Sequence, residues 1–86
     1  NLMAQPFYHN VTVSLHIVYD GHFYFYNRRE NGRIVVDAKP ISRERAADIM
    51  RLNEDDPAVK VSKRGTEGGF SWMADVTVQV EDRAHA

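Results

Sequence analysis

The clearest pattern in the chain is the stretch FSWMADVTVQV, residues 70–80. Every second residue in it is apolar, from Phe70 to Val80, and most of the residues between are polar. This period of two is that of a β-strand with one buried face. The stretch His9–Tyr19 alternates in the same way. The sequence therefore predicts two long strands, and we place them at the centre of one sheet.

Two turn signals divide the residues that follow Tyr19. Asn31-Gly32 is the strongest hairpin signal in the chain and predicts strands over His22–Arg29 and Arg33–Ala38. A two-residue turn there sets Glu30 opposite Arg33, a favourable cross-strand ion pair.

Asp20-Gly21 marks the other turn. A three-residue loop sets Ile17 opposite Phe23 and Leu15 opposite Phe25, whereas a two-residue loop sets Ile17 opposite Tyr24. We favour the three-residue loop because it puts the apolar residues of both strands on one face.

One helix and a further strand complete the predicted order βββαββ. Pro40 ends the third strand, Ser42 is a good N-cap, and an apolar stripe predicts a helix over Arg43–Asn53. Ala58–Arg64 is predicted as the fourth strand. Short connections favour an antiparallel sheet of order 3-2-1-5-4. The predicted fold class is α+β, with the helix packed on one face of the five-stranded sheet.

Length and composition exclude several kinds of protein. With 86 residues the chain is predicted to form one domain, 1–86, with an N-terminal arm at 1–8 and a polar tail at 81–86. It has no cysteine, which excludes disulfides and thiol nucleophiles. Eleven Lys and Arg against 12 Asp and Glu give a net charge of -1, which disfavours a dedicated nucleic-acid binder. No apolar stretch reaches the ~18 residues of a membrane span, so we expect a soluble, cytoplasmic domain.

The face of the sheet without the helix is the main candidate for function. In the favoured register it carries His16, Val18, His22, Tyr24, Tyr26, Arg28, Val35, Lys60 and Met73. Tyr, Met and Arg are enriched at protein interfaces, although such residues also occur on ordinary solvated faces.

The resulting hypothesis is a non-enzymatic protein-interaction module, typical of small phage or bacterial accessory or inhibitor proteins. Its partner is another protein or a second copy, as in a homodimer. The partner-binding residues predicted are His16, His22, Tyr24, Tyr26, Arg28 and Met73.

The alternative function is nucleic-acid binding by the same face. Tyrosines would stack on bases while basic side chains hold phosphates. The basic residues predicted for this role are Arg28, Arg29, Arg33, Lys63 and Arg64. The competing interpretation is simple solvation, because the arginines are interleaved with Glu30 and Asp37.

No pattern predicts catalysis, a cofactor or a metal site. Ser14 and His16 share a face, but the sequence offers no third group to orient the histidine. His16 and His22 would lie roughly 7–8 Å apart across the hairpin, and Asp20 is the only further ligand nearby. The acidic run 54–56 lacks the ligand spacing of a calcium loop, and 65–69 lacks the lysine of a phosphate-binding loop.

Overall fold

Five strands and one helix make up the fold in the computed structural model, which describes residues 6–82. The elements are β1 (Phe7–Tyr19), β2 (Tyr24–Glu30), β3 (Arg33–Ile41), α1 (Arg43–Glu54), β4 (Lys60–Thr66) and β5 (Gly69–Asp82). The strands form one antiparallel sheet of order β3-β2-β1-β5-β4. The predicted α+β class, element order and strand order are confirmed.

The two central strands are longer than predicted. β1 and β5 pair without interruption from Phe7 opposite Asp82 to Tyr19 opposite Phe70. The end of the predicted arm and the start of the predicted tail therefore belong to the sheet. The rest of the predicted arm, up to residue 5, and of the predicted tail, from residue 83, lies outside the described residues.

The pairing of β1 with β2 differs from the predicted register. The loop has four residues, 20–23, and Ile17 lies opposite Tyr26 instead of Phe23. The shift of three residues is odd, so every side chain of β2 lies on the face opposite to the predicted one. The inward placement predicted for Phe23 and Phe25 is therefore wrong, and Phe23 is 63% exposed.

Local interactions support the longer loop. The Asp20 carboxylate accepts hydrogen bonds from the backbone N–H groups of His22 and Phe23, each at 2.8 Å. The bonds from Phe23 and then His22 hold the pKa of Asp20 below its ordinary value. Beside the loop, the rings of Tyr19 and Tyr24 stack with centroids 4.4 Å apart. The observed register thus packs tyrosine rings where the predicted one packed phenylalanines.

The second hairpin follows the prediction at its turn. Asn31 and Gly32 have φ angles of 50° and 79°, as a type I′ turn requires, and Glu30 lies opposite Arg33 as predicted. The predicted ion pair between those two residues is wrong, because Glu30 instead pairs with Arg28 at 3.0 Å.

Pro40 lies within β3 and does not end it. It lies opposite Phe25 of β2, and β3 itself is the outermost strand of the sheet. No described strand lies beyond β3 to require the N–H that proline lacks. Two register shifts on either side of Arg28 accommodate the longer β3 against β2.

The helix packs over one end of the sheet. As predicted, Ser42 caps it, and its Oγ accepts a hydrogen bond from the Arg45 N–H at 3.0 Å. Helix and sheet together bury a cluster of five side chains: Ile17, Ala46, Ile49, Trp72 and Ala74. All the strand residues packed in or against this cluster lie near the 20–23 loop end. The far half of β1 and β5 extends beyond it.

Candidate protein-interaction interface

The structure moves the predicted tyrosine centre to the helix side of the sheet. Tyr24 and Tyr26 both pack against the buried cluster. Arg28 alternates with them and lies opposite Leu15 on the same side. The predicted placement of these three residues on the open face is therefore wrong, because the four-residue loop reverses β2.

The other predicted partner-binding residues are only partly brought together. His16 and Met73 lie opposite each other on the helix-free face, as predicted. His22 belongs to the 20–23 loop and not to a strand. Reversal of β2 brings Phe25 and Asn27 onto the helix-free face beside His16.

The predicted basic residues are split between the two faces. Lys63 lies on the helix side, with its Nζ 4.4 Å from the centre of the Phe70 ring. Arg28 is on that side too and is paired with Glu30. Arg29 and Arg64 are on the helix-free face, but β1 and β5 lie between their strands. They are also four positions apart along the strands, so they are about 20 Å apart.

Arg33 lies at the turn that joins β2 to β3. The five basic residues therefore do not form one phosphate-binding patch.

A polar network crosses the helix-free face at His16. The Asn27 side-chain amide nitrogen lies 3.3 Å from His16 Nδ1, and His16 Nε2 lies 2.9 Å from Ser71 Oγ. These two hydrogen bonds link β2, β1 and β5 across this face. The partner of His16 is Ser71, 55 residues away, and not the neighbouring Ser14 considered in the sequence.

The far ends of β1 and β5 form a two-stranded extension, which we call the ribbon (residues 7–12 and 76–82). β2 last pairs with β1 at Val13, and β4 last pairs with β5 at Asp75. Beyond those points the two strands pair only with each other in the described part of the chain. Isolated two-stranded β-structure is marginally stable in water. The ribbon is thus the part of the fold that has most to gain from an added partner.

The helix-side face of the ribbon is apolar and exposed. Phe7, Val78 and Val80 are 57%, 38% and 39% exposed. Val78 lies opposite Val11, and a groove of about 490 Å³ beside Val11 has a mixed lining of two valines and four polar or charged residues: His9, Val11, Glu30, Asn31, Arg33 and Val35. Exposed apolar side chains rimmed by polar ones are typical of interaction sites.

The direction of the backbone groups along the ribbon follows from one turn. The Thr12 carbonyl accepts from the Asn31 N–H at 2.8 Å, and the Thr12 N–H donates to the Asn31 side chain. Thr12 therefore points its backbone groups away from β5. Because Thr12 is opposite Thr77, the backbone groups of Thr77 point away from β1. Alternation extends this outward direction to Gln79 and Glu81.

The outer edge of β5 is open along the ribbon. No described strand pairs with it beyond Asp75, so three residues present N–H and C=O groups outward: Thr77, Gln79 and Glu81. Natural edge strands are commonly protected by proline, lysine or a bulge. The segment 76–81 contains no proline or lysine, and its pairing with β1 has no register shift. This edge is therefore a template for a further strand.

Comparison with family models, curated proteins and solved structures finds no match for this chain. The class that can be stated is an α+β protein with a single helix on an antiparallel sheet. Residues 6–82 contain no group of three or more potential metal ligands. Within the same range no helix is both long and apolar enough to cross a membrane.

The sequence did not identify the ribbon edge, because the functional groups there are backbone atoms. One signal was present. The alternating stretches 9–19 and 70–80 are each longer than the strands predicted beside them. A long central pair between shorter neighbours must extend past them and leave open edges.

Proposed function

We propose that this protein is a non-enzymatic protein-interaction module that binds an extended strand of a partner protein along the ribbon. The observation that carries the proposal is the open edge of β5 at Thr77, Gln79 and Glu81. Addition of a strand to a sheet edge is a common mode of peptide recognition, in which main-chain hydrogen bonds supply affinity.

The side chains of the ribbon supply selectivity in this mode. An added strand places alternate residues on the two faces of the sheet. On the helix side it would lie next to Val78 and Val80, which are already partly exposed. A partner strand with apolar residues at every second position therefore fits best. This interface replaces the tyrosine-centred one that the sequence predicted.

One further feature supports this proposal over nucleic-acid binding. The basic side chains are divided between faces, which provides no continuous track for a phosphate backbone.

A peptide display library of short random sequences tests the proposal. Wild type is used for selection, and the selected peptides are measured against Gln79→Pro and the matched control Gln79→Thr. Proline removes an outward N–H and leaves the hydrogen bonds to β1 in place. We expect peptides with alternating apolar residues, which bind wild type and Gln79→Thr and lose at least about tenfold in affinity for Gln79→Pro.

Equal binding of the selected peptides to Gln79→Pro would refute strand addition at this edge. The nucleic-acid alternative is measured in parallel by fluorescence anisotropy of labelled single- and double-stranded oligonucleotides at low and moderate salt. Tight binding that weakens steeply with salt, together with no selected peptide, would overturn the proposal in favour of that alternative.

A further inference from the structure

We infer that the added strand is β5 of a second copy, paired antiparallel about a two-fold axis that passes beside Gln79. This inference rests on the proposed function, since it names the occupant of the same edge. In the resulting dimer the two sheets join into one continuous sheet, with both helices on the same side.

Hydrogen-bond geometry selects this register. In an antiparallel pair, only residues with outward backbone groups can exchange hydrogen bonds directly. When the two-fold axis lies at Gln79, Gln79 pairs with its copy and Thr77 pairs with Glu81 twice. These three pairs exchange two hydrogen bonds each, six in total. When the axis lies at Val78 or Val80, only two pairs of outward residues form, which gives four hydrogen bonds.

The start of β4 excludes other registers. Lys60 already pairs with Asp75 along the same edge. A register centred on Thr77 would need Asp75 to pair again, with Gln79 of the second copy. In the Gln79-centred register the last hydrogen-bonded residue is Thr77. Asp82 of the second copy then comes opposite Val76, next to Lys60, so its chain must leave the sheet after Glu81.

Side chains on the two faces agree with the Gln79-centred register. On the helix side, Val78 lies opposite Val80 of the second copy, and this contact occurs twice. These are non-hydrogen-bonded pairs, in which side chains approach most closely. On the other face, Gln79 lies beside its own copy, and the two side-chain amides can donate to and accept from each other.

Charge complementarity is also present. Glu81 of the second copy would lie opposite Thr77, whereas Lys60 of β4 lies opposite Asp75. The added strand and β4 therefore follow the same edge of β5, with Glu81 and Lys60 two positions apart on the helix-free face. That separation is about 7 Å between their Cβ atoms, within reach of the long side chains. In the single copy Asp75 lies opposite Lys60 on this face, although no described carboxylate comes within 4 Å of the Lys60 ammonium. Asp75 is also diagonal to Glu81 of the second copy and partly offsets the attraction. The two-fold axis makes this attraction twice.

The outer edge of β1 is less suited to the same role. Asn31 occupies the backbone groups of Thr12, so only Tyr8 and Asn10 present outward groups within the ribbon. A two-fold pairing of that edge gives four backbone hydrogen bonds. It also lacks the valine pairs of β5. The β5 edge is therefore the preferred surface for self-association.

Sedimentation velocity over roughly 5 to 500 µM measures self-association, since an interface this small is expected to dissociate at low concentration. Wild type and Gln79→Thr are expected to dimerise, and Gln79→Pro to remain monomeric. Lys60→Glu or Glu81→Lys should each weaken the dimer about tenfold, and the double reversal should restore it to within about twofold. A wild type that stays monomeric throughout would overturn the inference.

Cysteine cross-linking tests the register, and the absence of natural cysteines makes it clean. In the inferred dimer, Cα atoms of Val78 and Val80 in different copies are about 4.5 Å apart, whereas two copies of Val78 are about 8 Å apart. Disulfides do not span more than about 7 Å. A mixture of Val78→Cys and Val80→Cys should therefore cross-link readily, and either variant alone should not. Efficient cross-linking of Val78→Cys alone would overturn the Gln79-centred register.

The two proposals fail in different ways. If library peptides require an intact Gln79 N–H but wild type never dimerises, the edge binds strands and the second copy is not its occupant. If the mixed cysteine variants cross-link but no peptide distinguishes Gln79→Pro from wild type, self-pairing holds and general strand recognition does not. If neither occurs, both proposals are wrong.

Discussion

Trp72 provides a quantitative test of the core because two opposing effects meet at one side chain. It is 1% exposed and belongs to the buried cluster beneath the helix. Its indole Nε1 is buried, and no described residue accepts its proton. A buried unpaired donor costs about 1–3 kcal/mol. Replacement by phenylalanine removes this donor and keeps an aromatic ring in the core.

The Trp72→Phe substitution also removes volume. The smaller ring leaves a gap of about 40 Å³, which costs about 1 kcal/mol, and it loses about 1 kcal/mol of apolar burial. The stability lost through the gap and the reduced burial is similar to the stability gained by removing the unpaired indole N–H. We therefore expect the free energy of unfolding to change by no more than about 1 kcal/mol. Trp72→Ala is the contrast, with an expected loss of about 3–5 kcal/mol.

Urea unfolding followed by circular dichroism measures these changes, since Trp72 is the only tryptophan and its fluorescence is lost in both variants. A loss of about 3 kcal/mol or more in the stability of Trp72→Phe would contradict this expectation. It would mean that the indole N–H is hydrogen-bonded, and that the pairing of the core differs from the one described.

Three further predictions concern backbone and loop. A Cβ at Gly69 would collide with a backbone carbonyl of β1, so Gly69→Ala should cost about 2–3 kcal/mol in urea unfolding, whereas Gly65→Ala, with open space around it, should change stability by less than about 0.5 kcal/mol. Asp20 has a lowered pKa in the fold, so its contribution to stability is complete above the ordinary aspartate pKa and is lost as the pH falls through the lowered value. The melting temperature of Asp20→Asn should therefore fall less steeply with acid than that of wild type. Parallel declines of the two melting temperatures would contradict this. Val78→Pro removes a hydrogen bond to β1 and should cost about 1–3 kcal/mol in the same urea assay, whereas Gln79→Pro should cost less than about 1 kcal/mol. Equal losses would show that the edge direction is wrong.

Local signals made much of the fold predictable. Asn31 and Gly32 readily adopt the positive φ angles that a tight hairpin turn requires, and the turn formed as expected. Ser42 satisfies an N–H of the first helical turn, so it marked the start of the helix. The alternation in 70–80 required a strand with one buried face. Each of these signals depends on neighbours within a few residues, and sequence alone contains that information.

The loop after Tyr19 could not be assigned in the same way. Loops of two, three or four residues can all contain Asp20-Gly21, and the loop that forms sets the register of β2 and hence which of its residues face the helix. The choice was made by contacts between distant residues, including the packing of Tyr19 and Tyr24 against Phe70. The candidate site depended directly on this choice, so the tyrosine-centred face was lost with the predicted register.

Local patterns in the sequence were therefore enough to predict the kinds of elements, their order and the strand order that short connections favour. The face on which each β2 side chain lies, and the length by which β1 and β5 pass their neighbours, were set by packing across the sheet. Periodicity and turn chemistry are local, whereas register depends on how much apolar surface each alternative pairing buries over the whole sheet. The open edge of β5 is likewise set by the whole sheet. The same backbone N–H and C=O groups are hydrogen-bonded or exposed according to where the neighbouring strand ends.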